Sequence, residues 1–145
     1  MALTRGQTVL ALLVAAAVIA AAVYLRDPPW LSSITSGLRS WESDRDGTKF
    51  RWMGGHASLF VPSAARAIEI PLHTTFESPG DWPVTVSVAI DDRPGDRLVL
   101  SDGEWHTILL RLPPAGSRRV RRIDIRVDRT RGGNRGAAIG ELRIR

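Results

Sequence analysis

An all-β fold, an antiparallel β-sandwich or jelly roll of about seven or eight strands preceded by one N-terminal transmembrane helix, is what this chain predicts. Two observations carry that prediction. One uncharged apolar run stands near the start, Thr8 to Leu25, and everything after Phe50 alternates apolar and polar with period two. A third supports them: the alternating runs are separated by Asp, Gly and Pro clusters that make turns.

The apolar run reads TVLALLVAAAVIAAAVYL, 18 residues without a charge. A membrane span needs roughly 17–25 such residues. Arg5 precedes it and Arg26 follows, with Tyr24 and Trp30 near the far end, where aromatic rings favour the interface. A cleaved signal peptide is the competing reading, with Ala20-Ala21-Ala22 as its site. The run continues past that site through Val23, Tyr24 and Leu25, longer than the usual h-region of about 7–15 residues. The expectation is therefore an uncleaved signal anchor over residues 8–25, after a short tail at 1–7. A short tail with everything else downstream places the C-terminal part outside the cytoplasm, periplasmic beyond a single-pass inner or plasma membrane helix.

Residues 26–48 read as a linker. Asp27-Pro28-Pro29 stops the helix, and Ser, Gly and mixed charges follow. Asp44-Arg45-Asp46-Gly47 resembles the start of a calcium loop, but Gly55 stands where the closing glutamate belongs, so a solvated turn is expected.

The sandwich is assigned to 49–145. Ile68, Ile70 and Leu72 alternate with Ala67, Glu69, Pro71 and His73. Val84, Val86, Val88 and Ile90 form a second such run, and Ile123, Ile125 and Val127 a third. Each has one face for a core and one for water, the signature of antiparallel sheet. Asp91 to Asp96 is a turn. Asp102-Gly103 reads as a two-residue hairpin between Arg97–Ser101 and Glu104–Leu112. The parity change between Ile139 and Leu142 puts a bulge at Gly140.

Composition removes several chemistries. There is no cysteine, hence no disulfide, thiolate metal site or cysteine nucleophile. His56, His73 and His106 lack zinc spacing, and no metal or other cofactor is expected. No nucleophile elbow or phosphate-binding glycine loop occurs. Glu69, Glu77, Asp91, Asp92, Asp96 and Glu104 include enough acids for a glycosidase pair, but any β domain carries as many. No catalytic residue is assigned, and the chain does not read as an enzyme.

Net charge is +5 and uneven: residues 111–145 carry 11 Arg against Asp124, Asp128 and Glu141. The run Arg118-Arg119-Val120-Arg121-Arg122 invites a nucleic-acid reading. An anchor that holds the domain outside the cytoplasm argues against it. Anionic headgroups or an acidic envelope polymer suit this basic surface better, and the plain reading is a solvated strand edge whose arginines block aggregation.

Tryptophans are the remaining signal, because flat apolar rings stack on sugar faces. Trp52 and Trp105 read as core, Trp105 closing one end of the sandwich. Trp82 sits in the loop Ser78-Pro79-Gly80-Asp81-Trp82-Pro83. It is the first choice for a ligand contact, with Asp81 and Glu77 as hydrogen-bonding neighbours.

Several stretches together resemble a known family: Gly47 to Met53, Ala57 to Pro62, Pro83 to Val86, Leu100 to Trp105, Arg122 to Ile125 and Ala138 to Leu142. They look like the extracytoplasmic β-sandwich at the C-terminus of some bacterial membrane glycosyltransferases of the mannosyltransferase type. More broadly they are similar to galactose-binding-like jelly rolls. The resemblance spans about residues 38–145. Such enzymes keep their catalytic acids in a polytopic membrane domain, whereas this chain has one apolar span, so the resemblance implies a module without catalytic residues. Two functions follow as expectations. One is a membrane-anchored extracytoplasmic module that binds glycans or glycoconjugates of the cell envelope. The other is a non-catalytic accessory subunit docked on a membrane protein such as a glycosyltransferase. An exposed tryptophan among polar residues favours the first; a contiguous apolar patch favours the second.

Overall fold

The computed structural model describes residues 5–26, 28, 30–74, 80, 82–114 and 116–145. It divides into two compact units, 1–31 and 32–145.

In the first unit, helix α1 runs from Arg5 to Arg26. At 1.5 Å per residue its 22 residues extend about 33 Å, long and apolar enough to cross a membrane, a test that a signal sequence also meets. Alanine and leucine favour the helix, Arg26 complements the partial negative charge of its C-terminal end, and the prolines that follow cannot extend it.

The second unit contains ten strands among the described residues. They are β1 (Thr35–Leu38), β2 (Glu42–Ser43), β3 (Lys49–Pro62), β4 (Ala67–His73), β5 (Val84–Ile90), β6 (Arg93–Leu100), β7 (His106–Arg111), β8 (Val120–Val127), β9 (Ala137–Gly140) and β10 (Arg143–Ile144). All pairings between them are antiparallel. The predicted all-β sandwich with one N-terminal apolar helix is the observed fold, with more strands than expected because β1, β2 and β10 are short.

The sheet curls at β3, which serves both layers. Its first half, Phe50 to Met53, pairs with β9, and its second half, His56 to Pro62, pairs with β8. The changeover falls at Gly54-Gly55, where no side chain resists the bend. One layer then runs β7, β4, β9 with β10, β3 and β2; the other runs β1, β3, β8, β5 and β6. Between them lie Met53, Leu59, Val61, Ile68, Ile70, Leu72, Val84, Val86, Ile123, Ile125 and Ile139, all buried. The predicted inward residues Ile68, Ile70, Leu72, Val84, Val86, Ile123 and Ile125 are among them; Val88 and Ile90 are buried with them, and Val127 packs against this core only partly buried. Each such aliphatic side chain stabilises the fold by about 1.5–3 kcal/mol through burial.

Four local expectations change. Residues 26–48, expected as linker, contribute β1 and β2, both paired with β3. Asp102-Gly103 is not a hairpin, because β6 pairs with β5 and β7 with β4. There Asp102 Oδ1 accepts the Glu104 amide at 3.0 Å, an Asx turn that carries the chain from one layer to the other. The turn expected over Asp91 to Asp96 is present but shorter, a two-residue hairpin turn at Asp91-Asp92 with φ of 49° and 66°, the two positive values of a type I′ turn, because Arg93 to Asp96 belong to β6. Gly140 ends β9, and β10 starts afresh at Arg143, so the parity change is a break between strands.

Candidate functional site

Alternation along β4 fixes one side of the site. Ile68, Ile70 and Leu72 point into the core, so Glu69, Pro71 and His73 point out. Register brings further residues to that outer face: Thr107 opposite Pro71, Ala138 opposite both His73 and Trp52, and Gly140 opposite Phe50. Trp105, just before β7, joins them.

The aromatic rings there form a cluster. His73 stacks on Trp105 at 5.0 Å between centroids with planes 27° apart. Phe50 meets Trp105 at 6.2 Å and Trp52 edge-on at 5.9 Å. Trp52 is only 7% exposed, as expected of a core residue, and Arg135 lies over its ring at 5.6 Å. Trp105, expected in the core, is instead half-buried, one wall of an open groove of about 610 Å³. Its position at the layer crossover, outside the register of β7, explains the difference.

Two backbone segments flank the groove: the turn Gly47–Thr48–Lys49 and the link Glu141–Leu142–Arg143. The turn is held by the Asp44 amide to the Thr48 carbonyl at 2.9 Å and by the Thr48 amide to Asp46 Oδ1 at 3.1 Å. That amide holds the Asp46 carboxyl below the usual carboxylate range. Gly140 allows close packing at the base: a Cβ there would sit 3.0 Å from Pro71 Cβ and 3.4 Å from Trp105 Cζ3.

Trp105 is placed by its neighbours in sequence. His106 Nε2 lies 2.6 Å from Asp102 Oδ1, which also takes the Glu104 amide. The hydrogen bond to His106, then that amide, hold the Asp102 carboxyl below its ordinary range. Charges along the groove balance. Lys49 and Arg143 face Glu69 and Glu141, and Glu69 is further paired with Arg145 at 2.7 Å. An aromatic face, hydroxyl and carboxylate acceptors and cationic donors, with no net charge, suit a neutral polar ligand that has one apolar face.

The other predicted site residues fall elsewhere. Trp82 packs against the hydrophobic core, and its Nε1 is buried without a hydrogen-bond partner. Glu77 and Asp81 lie outside the described residues. The arginine run is not at a sheet edge, because β8 lies between β3 and β5. Arg118 and Arg119 are exposed ahead of the strand. Arg121 is 6% exposed and donates to the Pro114 carbonyl at 2.7 Å. Arg122 pairs with Asp124 at 2.8 Å and with Asp92. Of the four arginines expected as a basic surface, Arg121 is therefore buried in the fold, while Arg122 is partly exposed and paired.

A Ser, His and Asp come together on the outer face of the other layer, which sequence inspection missed because they are far apart in the chain. The signal was there in the register, Ser58 opposite Asp124. Ser58 Oγ donates to Asp124 Oδ1 at 2.6 Å, and His56 Nε2 is 3.2 Å from that same oxygen and 3.4 Å from Ser58 Oγ. A hydrolase triad sets the acid on one ring nitrogen and the serine on the other. Here one nitrogen faces both, and the serine hydroxyl spends its hydrogen bond on the carboxylate and not on the imidazole, so the geometry does not activate Ser58. Burial pushes Asp124 up, but the bonds from Ser58, Arg122 and His56 outweigh it and hold the carboxyl below its usual range. Among the described residues no group of three or more His, Asp or Glu is placed to hold a metal ion.

No family model matches this chain, and no curated protein does. Solved structures with a similar fold include the C-terminal CBM6 of LamC, a marine laminarinase from Zobellia galactanivorans, at 14% identity and a TM-score of 0.47, covering 77% of this chain and 90% of that one. Another is a family two carbohydrate esterase from Cellvibrio japonicus, at 15% identity and a TM-score of 0.48, covering 74% of this chain. A third is the family two carbohydrate esterase from Clostridium thermocellum in complex with cellohexaose, at 10% identity and a TM-score of 0.49, covering 77% of this chain. This chain spans 29% and 31% of those two esterases.

Proposed function

We propose that this chain is a glycan-binding module, held at a membrane by α1 with its sandwich on the extracytoplasmic side, and that it acts by binding and not by catalysis. One observation carries the reading: Trp105 stands half-buried in an open, charge-balanced groove among Glu69, Thr107, Glu141 and Lys49. An indole face buries the C–H surface of a sugar ring, worth about 1–2 kcal/mol. Hydroxyls of the same ring bond the polar walls at about 0.5–1.5 kcal/mol each. A sum of about 4 kcal/mol corresponds to a Kd of about 1 mM, so the single site binds weakly. Balanced charge favours neutral glycans over acidic polymers.

The test is binding of immobilised neutral and acidic polysaccharides to the full chain in lipid nanodiscs, with no sugar-headed detergent present. Wild type should bind a neutral polysaccharide, and Trp105→Ala should lose ten-fold or more in affinity. Failure of wild type to bind any glycan, or equal binding by Trp105→Ala, overturns the reading. In the first case, copurification with a membrane glycosyltransferase would support the accessory-subunit function. Topology has its own test, made easy by the absence of cysteine. Ser117→Cys, on an exposed bend, should react in intact cells with a maleimide that cannot cross the membrane.

A further inference from the structure

We infer that the groove continues across the link Gly140–Leu142 into a second aromatic subsite built on Trp41 and Arg51, so that the ligand is an oligosaccharide chain and not a single terminal sugar. This rests on the glycan reading above and extends it.

Trp41 lies between β1 and β2 and is 54% exposed. Exposure of one such ring is ordinary in itself; what matters is the setting of this one. The ring is held firmly. Arg51 lies over it at 5.5 Å, and Arg51 is itself fixed by three acceptors: the Arg39 carbonyl through Nε, Thr35 Oγ1 at 3.0 Å and the Leu38 carbonyl at 3.4 Å. The guanidinium therefore backs one face of the indole as His73 backs Trp105, and the rest of the ring borders a cleft of about 380 Å³ floored by Leu38, Leu59 and Ile139. A fixed aromatic ring costs little entropy on binding, which is what a stacking platform requires.

Both clefts share one wall. Gly140, Glu141 and Leu142 line the Trp105 groove and the Trp41 cleft alike, and Glu141 is exposed. A carboxylate on a common rim accepts hydroxyls from sugars on either side. A chain that crosses it reaches Trp105 at one end and Trp41 at the other. Linked subsites act through effective concentration, so affinity rises with chain length while each sugar alone binds weakly.

The experiment measures Kd of the full chain in nanodiscs for β-glucan and α-mannan oligosaccharides of one to six units. Wild type should bind the hexamer of one series at least about ten-fold more tightly than its monomer. Trp41→Ala should remove most of that gain and leave the monomer unchanged, Trp41→Phe should restore part of it, and Trp105→Ala should weaken every length. Because Trp41 is exposed, its loss should leave the thermal midpoint close to wild type. Affinity that does not grow with length, or a Trp41→Ala loss equal at all lengths, overturns the inference and leaves the Trp105 site standing. A Trp41→Ala protein with unchanged hexamer affinity and reduced binding to neutral lipid vesicles also overturns it, assigning the ring to lipid. No binding of any oligosaccharide by wild type removes the glycan reading itself.

Discussion

His73 backs Trp105: the two rings stack at 5.0 Å, and His73 Nδ1 is buried without a hydrogen-bond partner. An imidazole with an unsatisfied buried nitrogen is a costly way to fill space. The stacking makes it a backing for the indole, and that positioning role is what its substitution tests. His73→Phe preserves a flat ring and should keep glycan affinity within about two-fold. His73→Ala removes the backing, and affinity should fall several-fold as the indole gains freedom, with changed Trp105 fluorescence and little change in thermal midpoint. Equal binding by His73→Ala and wild type would contradict the positioning role.

Trp82 and Trp105 should separate cleanly on mutation. Trp82 packs on the core, so Trp82→Ala removes apolar contacts and leaves a cavity, costing about 3 kcal/mol. Glycan affinity at permissive temperature should stay near wild type. Denaturant unfolding beside a binding titration checks both. A Trp82→Ala protein with unchanged stability and lost binding would return the contact to the Trp82 loop.

The contrast between these two tryptophans shows what the sequence can convey. Period-two alternation located β4, β5 and β8 and their inward residues, because a core face is a local property of a strand. Loop tryptophans carry no such mark. Trp82 suggests a ligand contact by its Pro- and Gly-rich loop, yet its ring packs on the core. Trp105 looked buried for its place at a strand start, yet it sits where Asp102 turns the chain between layers. Groove and cleft depend on pairings such as Pro71 with Thr107 and Phe50 with Gly140, and strand order is not local. Arg121 lies buried for the same reason: only the pairing of β8 with β3 and β5 shows that its strand is central.

Asp124 should govern acid stability. It is 8% exposed and takes bonds from Ser58 and Arg122, and its folded carboxyl titrates below the unfolded value of about 3.9. A depressed carboxylate contributes its stability above the unfolded pKa and loses it as pH falls through the folded one. The thermal midpoint should therefore drop below about pH 4. Asp124→Asn keeps the shape but loses the charge beside Arg122, which should cost about 2 kcal/mol at pH 7 and flatten the acid limb. A mutant whose acid limb matches wild type would assign that limb to other carboxylates.

Strand β1 decides where the folded unit begins. It pairs with β3, Thr35 opposite Leu59 and Leu38 opposite Met53, and it supplies two of the three acceptors that fix Arg51, Thr35 and Leu38. Its bulge is made by Gly37, at φ +73°, where a Cβ would lie 2.1 Å from the His56 carbonyl oxygen. No side chain fits there, and the positive φ adds strain for any residue but glycine. Two outcomes follow. A fragment of residues 32–145 should fold as a soluble β-rich domain. A fragment of 40–145 begins after β1, uncovers the β3 edge and frees Arg51, so it should melt lower by several degrees or aggregate. In the full chain, Gly37→Ala should cost about 2–3 kcal/mol, whereas Gly103→Ala, with open space around its Cβ, should stay within about 1 kcal/mol. Circular dichroism melts of the two fragments and the two variants measure all of this. Identical melting of 32–145 and 40–145 would show that β1 is dispensable and would also remove the support beneath Trp41.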